Sequence, residues 1–506
     1  MDNLFDISAQ SSRFAERHQP LPSAPPTLPL PAAIHAAEAS LPDPSSASYL
    51  AGSPSSAVAA HIARDIVPAL TGQNASARYF GFITGGTLPL AAWADNVVSA
   101  LDQNVQVHLP TQTVATALED AALEMLARVL RLDVAEHGWK GRTFTTGATA
   151  SNVLGLACGR EHALNQRLPG GLTVGDVGLL AAAAKAGVTE IQVLTSMGHS
   201  SLSKAASVVG LGRLSVKELR LSEEEPWRFD IDAAETAMQR PGVATILGIS
   251  AGEVNTGRYA LQGVEEWTRV RALADKYGAW LHVDGAFGVF ARALEQRDEY
   301  KLLHERIDGI QLADSITIDG HKLLNVPYDC GMFLCKSPTI MQAVFTNPNA
   351  SYLSSSSAAA TIPSPLNIGL ENSRRFRALP VYAVLLSEGR PGLAALLGNM
   401  AQLSRAIAAF LRASPHYELL PESNNAEGEI FMSVLFCAKD PELNETLVAK
   451  INETRQMYVS GTTWRGSKAT RIAVSNWRVD VEKDGKVVRE ILTCVAEGRE
   501  FDLSGC

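Results

Sequence analysis

The chain has 506 residues, of which 46% are hydrophobic and 19% charged; that is enough apolar side chain for a sizeable core and excludes wholesale disorder. Its 44 Lys+Arg against 53 Asp+Glu leave a net charge of -9, and no run of basic residues offsets it, so a basic nucleic-acid binder is excluded. Length alone suggests about three domains, or one large α/β unit with a smaller partner.

The opening MDNLFDISAQ lacks the basic and then apolar regions of a secretory signal. No apolar stretch is expected to approach the ~18 residues of a membrane span; the best candidate, Leu179 to Val188, is short and carries Lys185. Cys158, Cys330, Cys335, Cys437, Cys494 and Cys506 are scattered, with no CxxC pair. They read as thiols of a reducing compartment, not as a disulfide framework or metal site. A cytoplasmic location, no membrane, no nucleic acid and no metal are therefore expected.

Eight of the 25 prolines fall between Pro20 and Pro44, among Ala and Ser. This stretch is expected to be neither helix nor central strand but an extended surface arm, a linker or a clasp on a neighbouring subunit. From about Ala57 the pattern turns helical, and Phe80 to Pro89 interrupts it as a Gly-rich loop. Helix signals then cover Thr116 to Leu132, Ser151 to Arg160, and Leu261 to Tyr277 ahead of Gly278. Between them Ile191 to Leu194, Val243 to Ile249, Ala279 to Asp284 and Ser315 to Ile318 read as strands. Such alternation implies a mostly parallel sheet covered on both faces. Phe345 to Pro365, rich in Ser, Ala and Asn, suggests a mobile loop. Past Arg377, Met400 to Ala413, Glu429 to Cys437 and Arg471 to Ser475 suit a smaller α+β domain.

Four features carry chemistry. Thr145 to Asn152 (TTGATASN) starts a helix with small residues, so backbone N–H groups can point at an anion; a structural turn has the same look. In WLHVDGAFG, Asp284 ends a hydrophobic strand, where ligands of open α/β sheets bind, although an Asp there also caps turns. His199 follows another strand, where a lone histidine is ordinarily structural. In DSITIDGHKLLNVPYDCG a strand runs into His321 and Lys322. A lysine at a strand end is ordinarily a solvated charge; partly buried and flanked by a cation, it loses its proton readily and can hold a carbonyl cofactor as a Schiff base.

This order of anion turn, histidine, strand-end aspartate and His-Lys resembles the fold-type-I pyridoxal-phosphate enzymes, specifically the group II amino-acid decarboxylases. The resemblance runs from about Ala57 to Trp477, and HVDGAFG, DGHKLLNVPYDCG, SRRFRALPVYAVL (Ser373 to Leu385) and TRIAVSNWR (Thr470 to Arg478) carry it. It implies an α/β large domain with a mostly parallel sheet of the seven-stranded type, a small C-terminal α+β domain and a homodimer. The expected boundaries are residues 1–56 for the arm, 57–377 for the cofactor domain with a mobile loop at 345–370, and 378–506 for the small domain. By resemblance Lys322 would hold pyridoxal 5'-phosphate, and Asp284 would pair with its ring nitrogen. His199 would stack on the ring, and Gly147, Ala148 and Thr149 with His321 would hold the phosphate. Asn255 would contact the ring oxygen or substrate, and Thr84 the region of the substrate carboxylate. Phe82, with Trp93, suggests an apolar or aromatic substrate. Arg78 and Arg258 could face an acidic one, or be ordinary exposed arginines. Arg374, Arg375 and Arg377 are expected to anchor two domains through ion pairs.

The implied reaction is decarboxylation of an L-amino acid to its amine and CO2. One departure stands against it. Many family members carry a proton-donating tyrosine late in the mobile loop, whereas the only tyrosine between Phe345 and Arg374 is Tyr352, early in it. A decarboxylating aldehyde synthase or another carbon–carbon lyase is therefore an alternative, as is a non-catalytic cofactor-binding protein.

Overall fold

The computed structural model describes residues 27–347, 362–421 and 427–502. Compactness divides the chain into two units. One holds the described residues before Thr87 with those of Gln402–Glu422 and Met432–Cys506; the larger holds Thr87–Ala401 with those of Ser423–Phe431. This division falls elsewhere than the expected boundaries: the described residues of 57–86 group with the C-terminal residues, and 378–401 with the larger unit.

The larger unit is built on seven strands: β1 Gly141–Thr145, β2 Glu190–Thr195, β3 Val216–Glu218, β4 Val243–Ser250, β5 Trp280–Asp284, β6 Ser315–Asp319 and β7 Gly331–Cys335. Their order is β1-β7-β6-β5-β4-β2-β3. β6, β5, β4, β2 and β3 pair in parallel, and β7 runs antiparallel to both β6 and β1. The mostly parallel seven-stranded sheet is thus present. β4 is buried along its whole length, as a strand covered on both faces must be. Helix Gly263–Tyr277 stops where Gly278 turns left-handed at φ 65°, a conformation glycine adopts without steric cost.

The smaller unit carries an antiparallel sheet of β8 Tyr417–Leu420, β9 Ser433–Ala438, β10 Ser460–Trp464 and β11 Ser467–Ala473, ordered β8-β9-β11-β10. Helices Pro441–Glu453 and Val481–Glu497 accompany it, and the latter turns Val487, Val488, Ile491, Leu492 and Val495 inward. The expected α+β character is therefore found, with the β9 strand beginning at Ser433 instead of Glu429. Residues Tyr79 and Phe80 join this unit: Tyr79 bridges Tyr458, and the Phe80 carbonyl accepts the Ala473 N–H.

Two expectations are corrected. Pro31–Ala39, inside the proline-rich stretch, is an α-helix with proline in its first turn. The ring fixes a helical φ where no N–H partner is needed, and the following alanines are the strongest helix formers. Residues 1–26 lie outside the described part. Helix Ala378–Ala413 is long and apolar enough, by length and composition, to match a membrane span, and just over half of its apolar window is buried. Gly389 breaks it with a non-helical φ of 56°, two residues before Pro391. The described cysteines Cys158, Cys330, Cys335, Cys437 and Cys494 are free. Among the described residues, no group of three or more His, Cys, Asp or Glu is arranged to hold a metal ion.

Candidate active site

Parallel strands deliver their carboxyl ends to one edge of the sheet, where ligands of such folds bind. β1 leads into Gly147, β2 into His199, β4 into Asn255, β5 ends on Asp284 and β6 on Asp319, next to His321 and Lys322. Because side chains alternate along a strand, Trp280, His282 and Asp284 share one face of β5. Ser315, Thr317 and Asp319 share one face of β6, with His282 opposite Ser315 and Asp284 opposite Thr317. The apolar Leu281, Val283, Ile316 and Ile318 take the other face and are fully buried. Two adjacent strands thus form a polar stripe beneath helix Ala148–Asn165.

Asn152, fully buried on that helix, joins the stripe together. Its amide nitrogen donates to Asp284 Oδ2 at 2.9 Å and to Ser201 Oγ at 3.0 Å. Its Oδ1 accepts from the Thr317 hydroxyl at 2.9 Å and faces His282 Nε2 at 3.0 Å. Behind it, His282 Nδ1 lies 2.8 Å from Ser315 Oγ, which takes the Trp280 indole N–H at 2.9 Å. Burial pushes the His282 imidazole down to about 4, so it stays neutral, with Nε2–H donating to Asn152 and Nδ1 accepting from Ser315. The Asp284 carboxylate is therefore fixed in direction, and Oδ1 also faces the Ala286 N–H at 3.3 Å.

Ser201 Oγ lies 2.8 Å from His199 Nδ1, which also accepts the Ser201 N–H. This orients the ring of His199, an exposed residue. His321 is buried, and its Nδ1 accepts the Cys330 N–H at 3.2 Å. Its ring stacks on Tyr328 with centroids 4.0 Å apart, and burial holds its pKa below the ordinary value. Lys322 Nζ lies 3.0 Å from Asp319 Oδ2 and 5.8 Å from the centre of the Phe287 ring. The expected cation beside Lys322 is thus replaced by a carboxylate. At the anion turn, the Ala148 N–H donates to Asp319 Oδ1 at 2.7 Å, while Thr149 is exposed. Gly331, opening β7, has no room for a Cβ, which would lie 2.5 Å from Gly147 Cα. Asn255 sits in a turn tied by Glu253, whose carboxylate takes the Asn255 and Thr256 N–H groups, both at 2.9 Å.

Phe82 and Thr84 fold in the smaller unit. Phe82 is 64% exposed, its ring 5.8 Å from that of Tyr458. Thr84 is buried, and its hydroxyl donates to the Gly81 carbonyl at 2.9 Å. Phe82 and Ile83 both have positive φ, 61° and 57°; for bulky and β-branched residues such strain is held by the surrounding structure and concentrates in functional loops.

The arginine expectations change. Arg78 and Arg258 are buried, not exposed. Arg78 pairs with Asp484 at 2.7 Å, and Arg258 with Glu429; burial lowers the Arg258 guanidinium to about 10. Arg374, Arg375 and Arg377 do form ion pairs, with Glu119, Asp95 and Asp329, but every partner belongs to the same larger unit. They brace one unit internally. Residues 348–361 of the expected mobile loop, Tyr352 included, lie outside the described part.

A family model, that of the pyridoxal-dependent decarboxylase conserved domain, matches residues 54–431. The chain belongs to this family. Similar to it is the L-2,4-diaminobutyrate decarboxylase of Acinetobacter baumannii, 30% identical over 61% of this chain and 57% of that protein. The chain thus spans under three fifths of the length of that relative. Among solved structures, Oryza sativa TDC with PLP and tryptamine superposes with a TM-score of 0.78 at 20% identity, over 98% of both chains. The 4-hydroxyphenylacetaldehyde synthase of Rhodiola rosea gives 0.76 at 18% identity, over 97% of this chain and 98% of that one. These two likenesses establish the fold, fold type I.

The cofactor of the pyridoxal-dependent decarboxylases suits the donor set found here. A carboxylate held by a buried amide is available to a ring nitrogen, and an amine is available to a carbonyl. The Ala148 N–H, which now donates to Asp319, is a donor of the kind a phosphate takes. Sequence reasoning singles out Asp284, Lys322, His199 and His321 but not Asn152, His282 and Asp319, all within quoted motifs, which the structure ties to them by hydrogen bonds and an ion pair. The available signal was polarity in the wrong place: Asn152 heads the apolar run of a helix, and His282 lies in a strand of apolar neighbours.

Proposed function

We propose that this chain catalyses the pyridoxal-phosphate-dependent decarboxylation of an L-amino acid to the corresponding amine and CO2. The observation that carries the reading is the pair of polar strand ends, Asp284 on β5 and Asp319-His321-Lys322 after β6, in a chain of the decarboxylase family. When bound, the cofactor supplies a conjugated ring that accepts the electron pair left on Cα as CO2 departs. Lys322 would hold it covalently through its amine. Asp284, aimed by Asn152, holds a proton at the ring nitrogen. His199 covers a ring face and keeps water from it. Gly147, Ala148 and Thr149 with His321 bind the phosphate, and Asn255 binds the ring oxygen or the substrate. Thr84 serves the substrate carboxylate. Phe82, apolar and exposed, favours an apolar or aromatic substrate side chain. A homodimer in the cytoplasm completes this reading, supported by the resemblance and by the scattered thiols.

A decarboxylating aldehyde synthase is the second reading, favoured by the lack of a tyrosine late in the 345–370 segment. The experiment is to load the purified chain with pyridoxal phosphate and offer aromatic, acidic and basic L-amino acids. CO2, amine, aldehyde and O2 uptake are scored together. Amine and CO2 without O2 uptake support the main reading; aldehyde with O2 uptake supports the second. A chain that acquires no visible absorption band from the cofactor, or whose Lys322→Ala variant still turns over, rejects both.

A further inference from the structure

The turn assigned to the cofactor's phosphate already has an anion on it, supplied by the chain itself. Asp319 is 2% exposed. Its Oδ1 accepts the Ala148 N–H at 2.7 Å, and its Oδ2 lies 3.0 Å from Lys322 Nζ and 3.6 Å from His321 Nε2. One buried carboxylate thus spans the N–H that opens helix Ala148–Asn165 and the lysine amine. A phosphate bound at the same turn needs that N–H, and two anions cannot share one donor without repulsion.

We propose that Asp319 gates cofactor loading: in the cofactor-free chain its carboxylate competes with the phosphate for the Ala148 N–H and keeps Lys322 ion-paired, and it yields both when the phosphate binds. This rests on reading the site as a pyridoxal-phosphate site. The groups facing Asp319 are His321 and Lys322 from the turn that follows it, and the Cys330 thiol from the segment before β7; Asp329 lies beside that thiol. Asp329 is held by Arg377 at 2.7 Å. Burial holds the His321 imidazole below its ordinary value and pushes the Cys330 thiol up. The helix start contributes backbone only, from Gly147 and Ala148.

The probe is pyridoxine 5'-phosphate, which has the ring and phosphate but no carbonyl for Lys322 to attack. It is titrated into the cofactor-stripped full chain, wild type and Asp319→Asn, by fluorescence quenching at pH 8. Asparagine keeps the shape and the acceptor but removes the charge, so the variant should bind about tenfold tighter. Equal or weaker binding by the variant overturns the gate alone. If wild type and variant both fail to bind at millimolar probe, the cofactor site itself falls, and the gate with it. Asp319→Ser is a second neutral variant with the same expected gain, and equal or weaker binding by it overturns the gate as well.

Discussion

Asn152 donates its amide N–H to the carboxylate of Asp284 at 2.9 Å, and the other end of the same amide is held by Thr317 and His282. An aspartate at a strand end is free to rotate unless something fixes it; here a helix-borne amide, itself fixed from two neighbouring strands, sets its direction. Asn152→Ala removes the bridge and leaves buried polar groups without partners, at a cost of about 1–3 kcal/mol. Both the urea midpoint and the affinity for pyridoxal phosphate should fall. Asn152→Asp, nearly the same shape, places a second carboxylate against Asp284 and should weaken cofactor binding further at neutral pH. Unchanged affinity in both variants would show that Asp284 needs no such support.

His282 predicts how stability depends on pH. Its folded-state value is pushed down to about 4 by burial, against about 6.5 in the unfolded chain. Between those values the unfolded chain binds the extra proton, so the stabilisation is complete above pH ~6.5 and is lost as pH falls towards ~4. Denaturant midpoints of wild type should drop by an amount worth a few kcal/mol across this window. His282→Asn should be less stable at pH 7 and show a shallower slope. Parallel slopes for the two proteins would mean that other groups govern the acid limb.

Much of this was legible in the sequence, for reasons that differ by element. The run around Val243 became a strand because its apolar residues had both faces to cover, whereas Ile316 and Ile318 cover one face of the run around Ser315. Asp284 and Lys322 stood out because a charge ending an apolar strand needs a reason. The helix at Pro31–Ala39 was hidden by the prolines around it, and Pro31, in the first turn, costs nothing. Arg258 was misjudged because nothing local marks its partner: Glu429 lies 171 residues away. Asn152 and Asp319 lay inside recognised motifs, yet their roles depend on strand-to-helix packing, which spacing along the chain does not encode.

Glu429 anchors two buried or half-buried cations, pairing with Arg258 and lying 3.1 Å from Arg306. The Arg258 guanidinium also sits 4.9 Å from the centre of the Trp227 ring. Removing one partner of a buried pair leaves an uncompensated charge, at about 3–5 kcal/mol. Glu429→Gln should therefore lower the unfolding midpoint sharply. Adding Arg258→Met to it should recover part of the loss, because the buried cation that lost a carboxylate partner goes with the arginine. A double variant weaker than Glu429→Gln by the full cost of Arg258→Met alone would show the two residues to be energetically independent.

Gly155 tests whether the network is held by packing. A Cβ built there would lie 2.3 Å from His282 Cε1 and 2.4 Å from Nδ1, a ring confined between the helix and β5 and bonded on both sides. Gly155→Ala must displace either the helix or the imidazole, and overpacking of this kind costs about 1–3 kcal/mol, more than the gain from alanine's helix propensity of about 1 kcal/mol. Since His282 is one of the two groups holding Asn152 Oδ1, the displacement should pass to Asp284 and weaken cofactor binding as well as stability. Pairing Gly155→Ala with His282→Ser opens space for the methyl while keeping a hydroxyl towards Asn152. The double variant should then be more stable than the sum of its parts, and a double-mutant cycle closing at zero would show that the glycine is not there to admit the histidine ring.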